Sequence, residues 1–236
     1  MMSMVLTILG SASGPAHSSP SVFEGVTNTV AVLLVLTEFG MLRVAMLRAQ
    51  VRLYALQSLA LSVLAAVVAG GKDIPELYVL AVLSFLLKVV VVPLLILTLL
   101  RGAGTSIAGS GVLGVATEVL LSLAVALFGF FAIGGLGIRS NVLSSAALGL
   151  SGSVVLVAFV IMALRRDVVS QAMGFFSLEN GVSLASLVVA AGMPLILEVA
   201  FLFDLLVAVV VFGVLMRVHH RRVRSLSTAT LDRLRG

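Results

Sequence analysis

Windows of roughly 20 apolar residues, each long enough to cross a hydrocarbon layer as a helix, recur along almost the whole of this chain of 236 residues. Seven are read, at about 21–42, 50–70, 77–100, 111–134, 141–164, 170–192 and 195–217, parted by short stretches with Arg, Pro, Gly or Asp. The apolar share of 61% against 11% charged residues and the mean hydropathy of +1.25 lie well beyond soluble domains, whose apolar share is about 45–50%. An all-α integral membrane protein of about seven transmembrane helices follows, with no soluble domain left to explain.

Lys and Arg orient it. Arg43, Arg48 and Arg52 follow the first window, Arg101 the third, Arg165 and Arg166 the fifth, and Arg217, Arg221, Arg222, Arg224, Arg233 and Arg235 the seventh. The alternate loops hold only Lys72 and Arg139. The positive-inside rule then puts the N-terminus outside and the C-terminus in the cytoplasm, which needs an odd number of crossings. The net charge of +5 is thereby assigned to topology and anionic lipid rather than nucleic acid. The early "MVLTILG" lacks the positive n-region of a secretory signal, so no cleavage is expected there.

The chain has no Cys, and its three His residues are His17 in the first polar segment and His219 and His220 after the last window. Neither an iron–sulfur cluster nor a Cys-liganded zinc can be held by such a chain. No nucleophile with a nearby base and no phosphate-cradling Gly loop is found. No cofactor and no catalytic residue are expected, and redox chemistry is left to partners.

Sliding the chain by 122 positions lays "VRLYALQSLALSVLAAVVAG" over "MGFFSLENGVSLASLVVAAG", with Gln57 on Glu179 and Gly70 on Gly192. With a shorter loop, "LSFLLKVVVVPLL" lies over "VAFLFDLLVAVVV", which puts Lys88 on Asp204. Two three-helix units are expected, joined by an extra helix that restores the direction of the second, so that the repeats run parallel. The divisions are a polar segment (1–20), repeat one (21–100), a linking helix (101–140), repeat two (141–217) and a basic cytoplasmic tail (218–236).

Charges inside such windows carry the functional question. Lys88 and Glu179 sit near the middle of their windows, Asp204 lies in the seventh and Glu118 in the fourth. Each costs roughly 2.5–3.5 kcal/mol at mid-helix on insertion scales, so none is expected to face lipid unpaired. Either ion pairs fix helix register and bind neighbours, or the groups form a proton relay. Hydroxyls follow the charges: Ser183 and Ser186 after Glu179, Ser84 before Lys88, and Thr117 and Ser122 beside Glu118. Pro93 frees the carbonyl of Val89, an acceptor expected beside the Lys88 ammonium. Glu38 and Glu198 are read as interfacial carboxylates near wet helix ends, and Glu24 and Glu76 as loop or interface charges.

"GFFSLENGVSLASL" followed by "GMPLILEVAFLFDLLVAVVVFGVLMRVHHR" resembles the C-terminal half of hydrogenase-4 component E, and "RLYALQSLALSVLAAVVAG" with "LSFLLKVVVVPLL" its N-terminal half. That family in turn is similar to the K subunit of complex I and the C subunit of multisubunit sodium/proton antiporters. The resemblance implies a non-catalytic membrane subunit of a complex I-like oxidoreductase in a bacterial or archaeal inner membrane. It also implies antiporter-like and complex I H-like neighbours and, indirectly, a soluble hydrogenase-like arm with iron–sulfur clusters. Glu179 is the counterpart of the K subunit's glutamate, with Glu198 and Asp204 as acids of the closing helix. Gln57 and Lys88 hold those places in the first half, where Gln57 cannot titrate. The implied relay is Lys88, Glu118, Glu179, Asp204, Glu198 and Gln57, moving protons or Na⁺. A structural subunit that only holds its neighbours, a subunit of a multisubunit cation/proton antiporter, and an independent solute carrier are the competing readings.

Overall fold

A computed structural model describes residues 22–72, 74–103, 107, 111–136 and 144–190, together with 206, 210, 213 and 214. Six helices long and apolar enough to cross a membrane are present among these residues. We number them α1 (Val22–Arg43), α2 (Leu47–Lys72), α3, α4 (Val115–Gly134), α5 (Ser145–Leu164) and α6 (Val168–Ala190). α3 is continuous but changes winding: α-helical over Pro75–Ser84, π-helical over Phe85–Val91 and α-helical again over Val92–Ala103. Most of the seventh window, with Glu198 and Asp204, lies outside the described residues; Leu206, Val210, Gly213 and Val214 are helical, and Gly213 lies beside Leu95 and Leu99 of α3.

The starts of these helices obey local chemistry. Pro75 opens α3, where a missing N–H costs nothing. Ser144 caps α5 by accepting from the Ala147 N–H at 3.3 Å, and Asp167 caps α6 by accepting from the Ser170 N–H at 2.7 Å. α4 starts at Val115 rather than 111, because Gly114 is extended and Val112 donates its N–H to the carbonyl end of α5 at Leu164, 3.0 Å away.

The π stretch has a physical reason in Pro93. In an α-helix its ring would press on the carbonyl of the residue four back, and a wider turn relieves that crowding. The Val92 N–H accordingly reaches back five residues to the Leu87 carbonyl.

Among the described residues, consecutive helices pack together except α3 and α4, and α1 also packs against α5 and α2 against α6. Close approach of α4 and α5 depends on two facing glycines: a Cβ on Gly129 would stand 2.8 Å from the Gly152 carbonyl oxygen, and one on Gly152 would stand 2.9 Å from that of Gly129. Small residues let helix backbones gain contacts where lipid offers no hydrophobic drive. The Ser153 hydroxyl fastens the same interface to the Ala126 carbonyl at 2.7 Å.

Loops bearing Arg gather at one end. Met46, between α1 and α2, forms an antiparallel bridge with Ile107 after α3, and the Arg165 guanidinium donates to the Leu42 carbonyl across from α5. The turn after α1 also recurs after α5, 121 positions later. Val44 N–H bonds Gly40 O as Arg165 N–H bonds Ile161 O, and Gln50 N–H bonds Met46 O as Gln171 N–H bonds Asp167 O. The side-chain amide of Gln50 donates to the Val44 carbonyl at 3.0 Å, as that of Gln171 does to the Arg165 carbonyl at 2.8 Å.

Two apolar cores stack along the bundle. One contains Ala31, Leu34, Leu61, Leu64, Ala81 and Leu184; the other contains Met41, Val51, Tyr54, Val92, Met173 and Phe176. Between them each of α1, α2, α3 and α6 places buried polar residues: Glu38, Gln57 and Ser58, Lys88, and Ser177 and Asn180. The site is this polar layer.

Candidate functional site

Lys88 is 1% exposed and its ammonium, donor-only chemistry with three hydrogens, finds three partners on α6. It pairs with the Glu179 carboxylate, donates to Asn180 Oδ1 at 3.3 Å and donates to Ser183 Oγ at 3.1 Å. Ser183 in turn donates to Glu179 Oε1 at 3.0 Å. The expected acceptor, the Val89 carbonyl, is not among these partners. α3 widens around Lys88 rather than opening a gap at Pro93, and the side chain crosses to α6.

The layer continues through amides. Asn180, fully buried, donates one N–H to Gln57 Oε1 at 3.0 Å and the other to Ser58 Oγ at 2.9 Å. Gln57, also fully buried, donates to the Leu34 carbonyl at 3.1 Å and to Glu38 Oε2 at 2.9 Å. Ser177 Oγ contacts the same Glu38 oxygen and lies 2.9 Å from Gln57 Oε1. A continuous hydrogen-bonded chain thus runs Glu38–Gln57–Asn180–Lys88–Glu179, through four helices.

Glu38 corrects the sequence reading. It is not an interfacial carboxylate near a wet helix end: its exposure is 0%, because α1 presents Thr27, Ala31, Leu34, Glu38 and Met41 on one buried face at spacings of three and four residues. That register was available in the sequence; an amphipathic pattern was not, since the opposite face of α1 is apolar too. Ser177 and the bridging role of Asn180 were likewise missed.

Glu118 stands apart from this layer. It is 5% exposed and sits in the first turn of α4, where its partner is Arg165 at 3.7 Å. Its Oε1 occupies the space that a Cβ on Gly111 would need and has no hydrogen-bond partner among the described residues. Arg165, taken from sequence as a topology charge, is 9% exposed. Ser122 is buried with its Oγ unpartnered among the described residues, and Thr117 is exposed. Ser84 is buried. Glu24 and Glu76 are exposed and lie in the first turns of α1 and α3 rather than in loops. Among the described residues no three His, Cys, Asp or Glu side chains converge to hold a metal ion.

Chemically, the layer offers a compact ammonium, two carboxylates, of which Glu38 is fully buried and Glu179 is 14% exposed, and a set of oriented dipoles inside the helix bundle, where electrostatic interactions are strong. Such a cluster either locks four helices together or exchanges a proton.

No family model matches this chain, and no solved structure matches it. An uncharacterized protein of Mycobacterium tuberculosis is 43% identical over 83 residues, 35% of this chain and 36% of that protein. This chain therefore covers only about a third of that relative. Hydrogenase-4 component E of Escherichia coli K12 is 25% identical over 211 residues, 89% of this chain and 98% of the relative, and that of Shigella flexneri matches to the same extent. The resemblance carried by "ENG…GMPL" and the first-half segments thus holds over nearly the whole length of both chains, and with the six spans it makes this a multi-pass protein of a bacterial membrane.

Proposed function

We propose that this chain is a non-catalytic membrane subunit of a hydrogenase-4-like oxidoreductase complex, and that its buried polar layer takes part in moving protons, or Na⁺, across the membrane. Full-length similarity to hydrogenase-4 component E supports membership of such a complex. The translocation reading is carried by one observation: the continuous chain from Glu38 to Glu179 through Lys88, in a part of the protein where apolar packing would be cheaper. Antiporter-like neighbours, an H-like subunit and a soluble arm with iron–sulfur clusters would supply the driving chemistry.

The reading includes a seventh span over 195–217, with Glu198 and Asp204 as further relay acids, and an outside N-terminus. It also includes two parallel repeats, 21–100 and 141–217, joined by the helix in 101–140. Support for duplication comes from the recurring turn, whose three bonds repeat at 121 positions. That is one residue less than the offset that superposes Gln57 on Glu179, so turn and mid-helix follow different registers. Support for orientation comes from the shared end of the Arg-bearing loops.

Glu118 enters this reading as a peripheral group at the Arg-bearing end, paired with Arg165, rather than as a neighbour of Lys88. The competing structural role is favoured by the saturation of the ammonium. The two are separated by Glu179→Gln in the assembled complex, reconstituted in vesicles: assembly is retained and translocation falls at least about tenfold. Full translocation with the amide overturns the relay, and loss of assembly instead favours the structural subunit.

A further inference from the structure

Donor and acceptor directions in the layer are forced from one end. An ammonium cannot accept, so Asn180 must turn its oxygen to Lys88 and its NH₂ to Gln57 and Ser58. Gln57 must then receive that N–H on its oxygen and aim its own NH₂ at Leu34 O and Glu38 Oε2, both acceptors. Two amide dipoles are therefore aligned head to tail from the cation to Glu38, and they bring its field to a carboxylate that the ammonium does not touch.

Charge does not balance across this arrangement. Among the described residues the layer holds two carboxylates, Glu38 and Glu179, and one ammonium. No second buried cation among the described residues enters the layer: α5 has no ionisable side chain between Ser145 and Leu164, α4 brings Glu118, already facing Arg165, and α2 adds the buried phenol of Tyr54, while Arg48 and Arg52 of α2 and Arg101 of α3 are exposed. On α1, Arg43 is exposed. An excess negative charge in such surroundings is expensive unless a small cation neutralises it, and the buried Oε1 of Glu38, without a hydrogen-bond partner among the described residues, is a place for a proton, while Glu179, 14% exposed, is the less enclosed of the two.

Resting on the translocation reading and deepening it, we infer that Glu38 and Glu179 share a single exchangeable proton, with Lys88 as common counter-ion and the Asn180–Gln57 amide pair coupling the two sites. Uptake of a proton by one carboxylate accompanies its release from the other, so the sum of atoms and charge in the layer is unchanged. The amides transmit polarity and do not themselves carry the proton. Glu38 is thus a proton-binding residue, and Gln57, which cannot titrate, is a positioning residue.

Infrared spectroscopy of the purified full chain in lipid nanodiscs, at neutral pH and low Na⁺, tests this through the C=O band of protonated Glu, identified by ¹³C-Glu labelling and corrected by subtracting the Glu38→Gln/Glu179→Gln double variant. Wild type should show the band, and Glu38→Gln or Glu179→Gln alone should each abolish it, because either change leaves one carboxylate for one ammonium. Adding Asn180→Leu to Glu179→Gln should bring back the Glu38 band by cutting the amide link. A band that persists in Glu179→Gln, that halves in each single variant, or that is absent from wild type overturns the shared proton. Loss of the wild-type band on adding Na⁺ also overturns it, since the neutralising cation is then Na⁺. No partner is needed for these spectra. Intact coupling with no translocation in vesicles would sink the transport reading alone, and independent bands with normal translocation would sink the shared proton alone.

Discussion

Asn180 faces Lys88 with its carbonyl oxygen 3.3 Å from the ammonium, and that contact sets the orientation of every amide behind it. Removing Asn180 therefore strands a donor, the Lys88 ammonium, on one side and two acceptors, Gln57 Oε1 and Ser58 Oγ, on the other.

Asn180→Leu is expected to lower unfolding stability by about 1–3 kcal/mol for each buried polar group left without a partner. Thermal unfolding in detergent reads the change. A shift within error would mean that the side chains of α2 and α6 rearrange to satisfy one another.

Lys88→Met leaves a carboxylate in the bundle without its cation, a loss of about 3–5 kcal/mol by the usual cost of breaking a buried pair. The double variant Lys88→Met/Glu179→Leu removes both charges and is expected to recover most of that loss. Equal destabilisation by single and double variants would show that Glu179 is already wet.

The second of these outcomes turns on residues whose type was legible and whose surroundings were not. Lys88 and Glu179 stood out because a mid-window charge must find a partner, and their pairing was open to inference. The position of Glu38 was harder. Near the end of an apolar window it looked like an interface residue, and hydropathy cannot separate a lipid-facing side from a protein-facing side when both are apolar. Only the register with Thr27, Ala31 and Leu34 distinguishes them. The six described spans were legible from length and hydropathy, with ends shifted by a few residues where caps decide, as at Gly114 and Ser144. The π turn was not, because a single Pro93 allows a kink, a gap or a widened turn.

Arg165 bridges the Leu42 carbonyl and Glu118, so Arg165→Met is expected to cost about 3–5 kcal/mol, and Arg165→Lys most of that, since a point charge cannot reproduce the planar fork. Glu118→Gln should cost less than Arg165→Met, because the guanidinium keeps its carbonyl partner. Comparison of the three unfolding midpoints checks this order.

Gly129→Val places side-chain atoms against the Gly152 carbonyl, already 2.8 Å from where a Cβ would sit. Overpacking of this kind typically costs about 1–3 kcal/mol. The loss should appear as weaker α4–α5 association, measured by disulfide trapping of Cys pairs introduced across the two helices into this Cys-free chain. Unchanged trapping would show that α4 shifts aside.

The saturation of the ammonium by three side chains of one helix has a bearing on hydration. A water molecule arriving at Lys88 finds no hydrogen to accept and must evict Asn180, Ser183 or Glu179 from its place. Wetting at the centre of the bundle is thus tied to a movement of α3 against α6, and where the water takes the place of Asn180 it also breaks the link to Glu38.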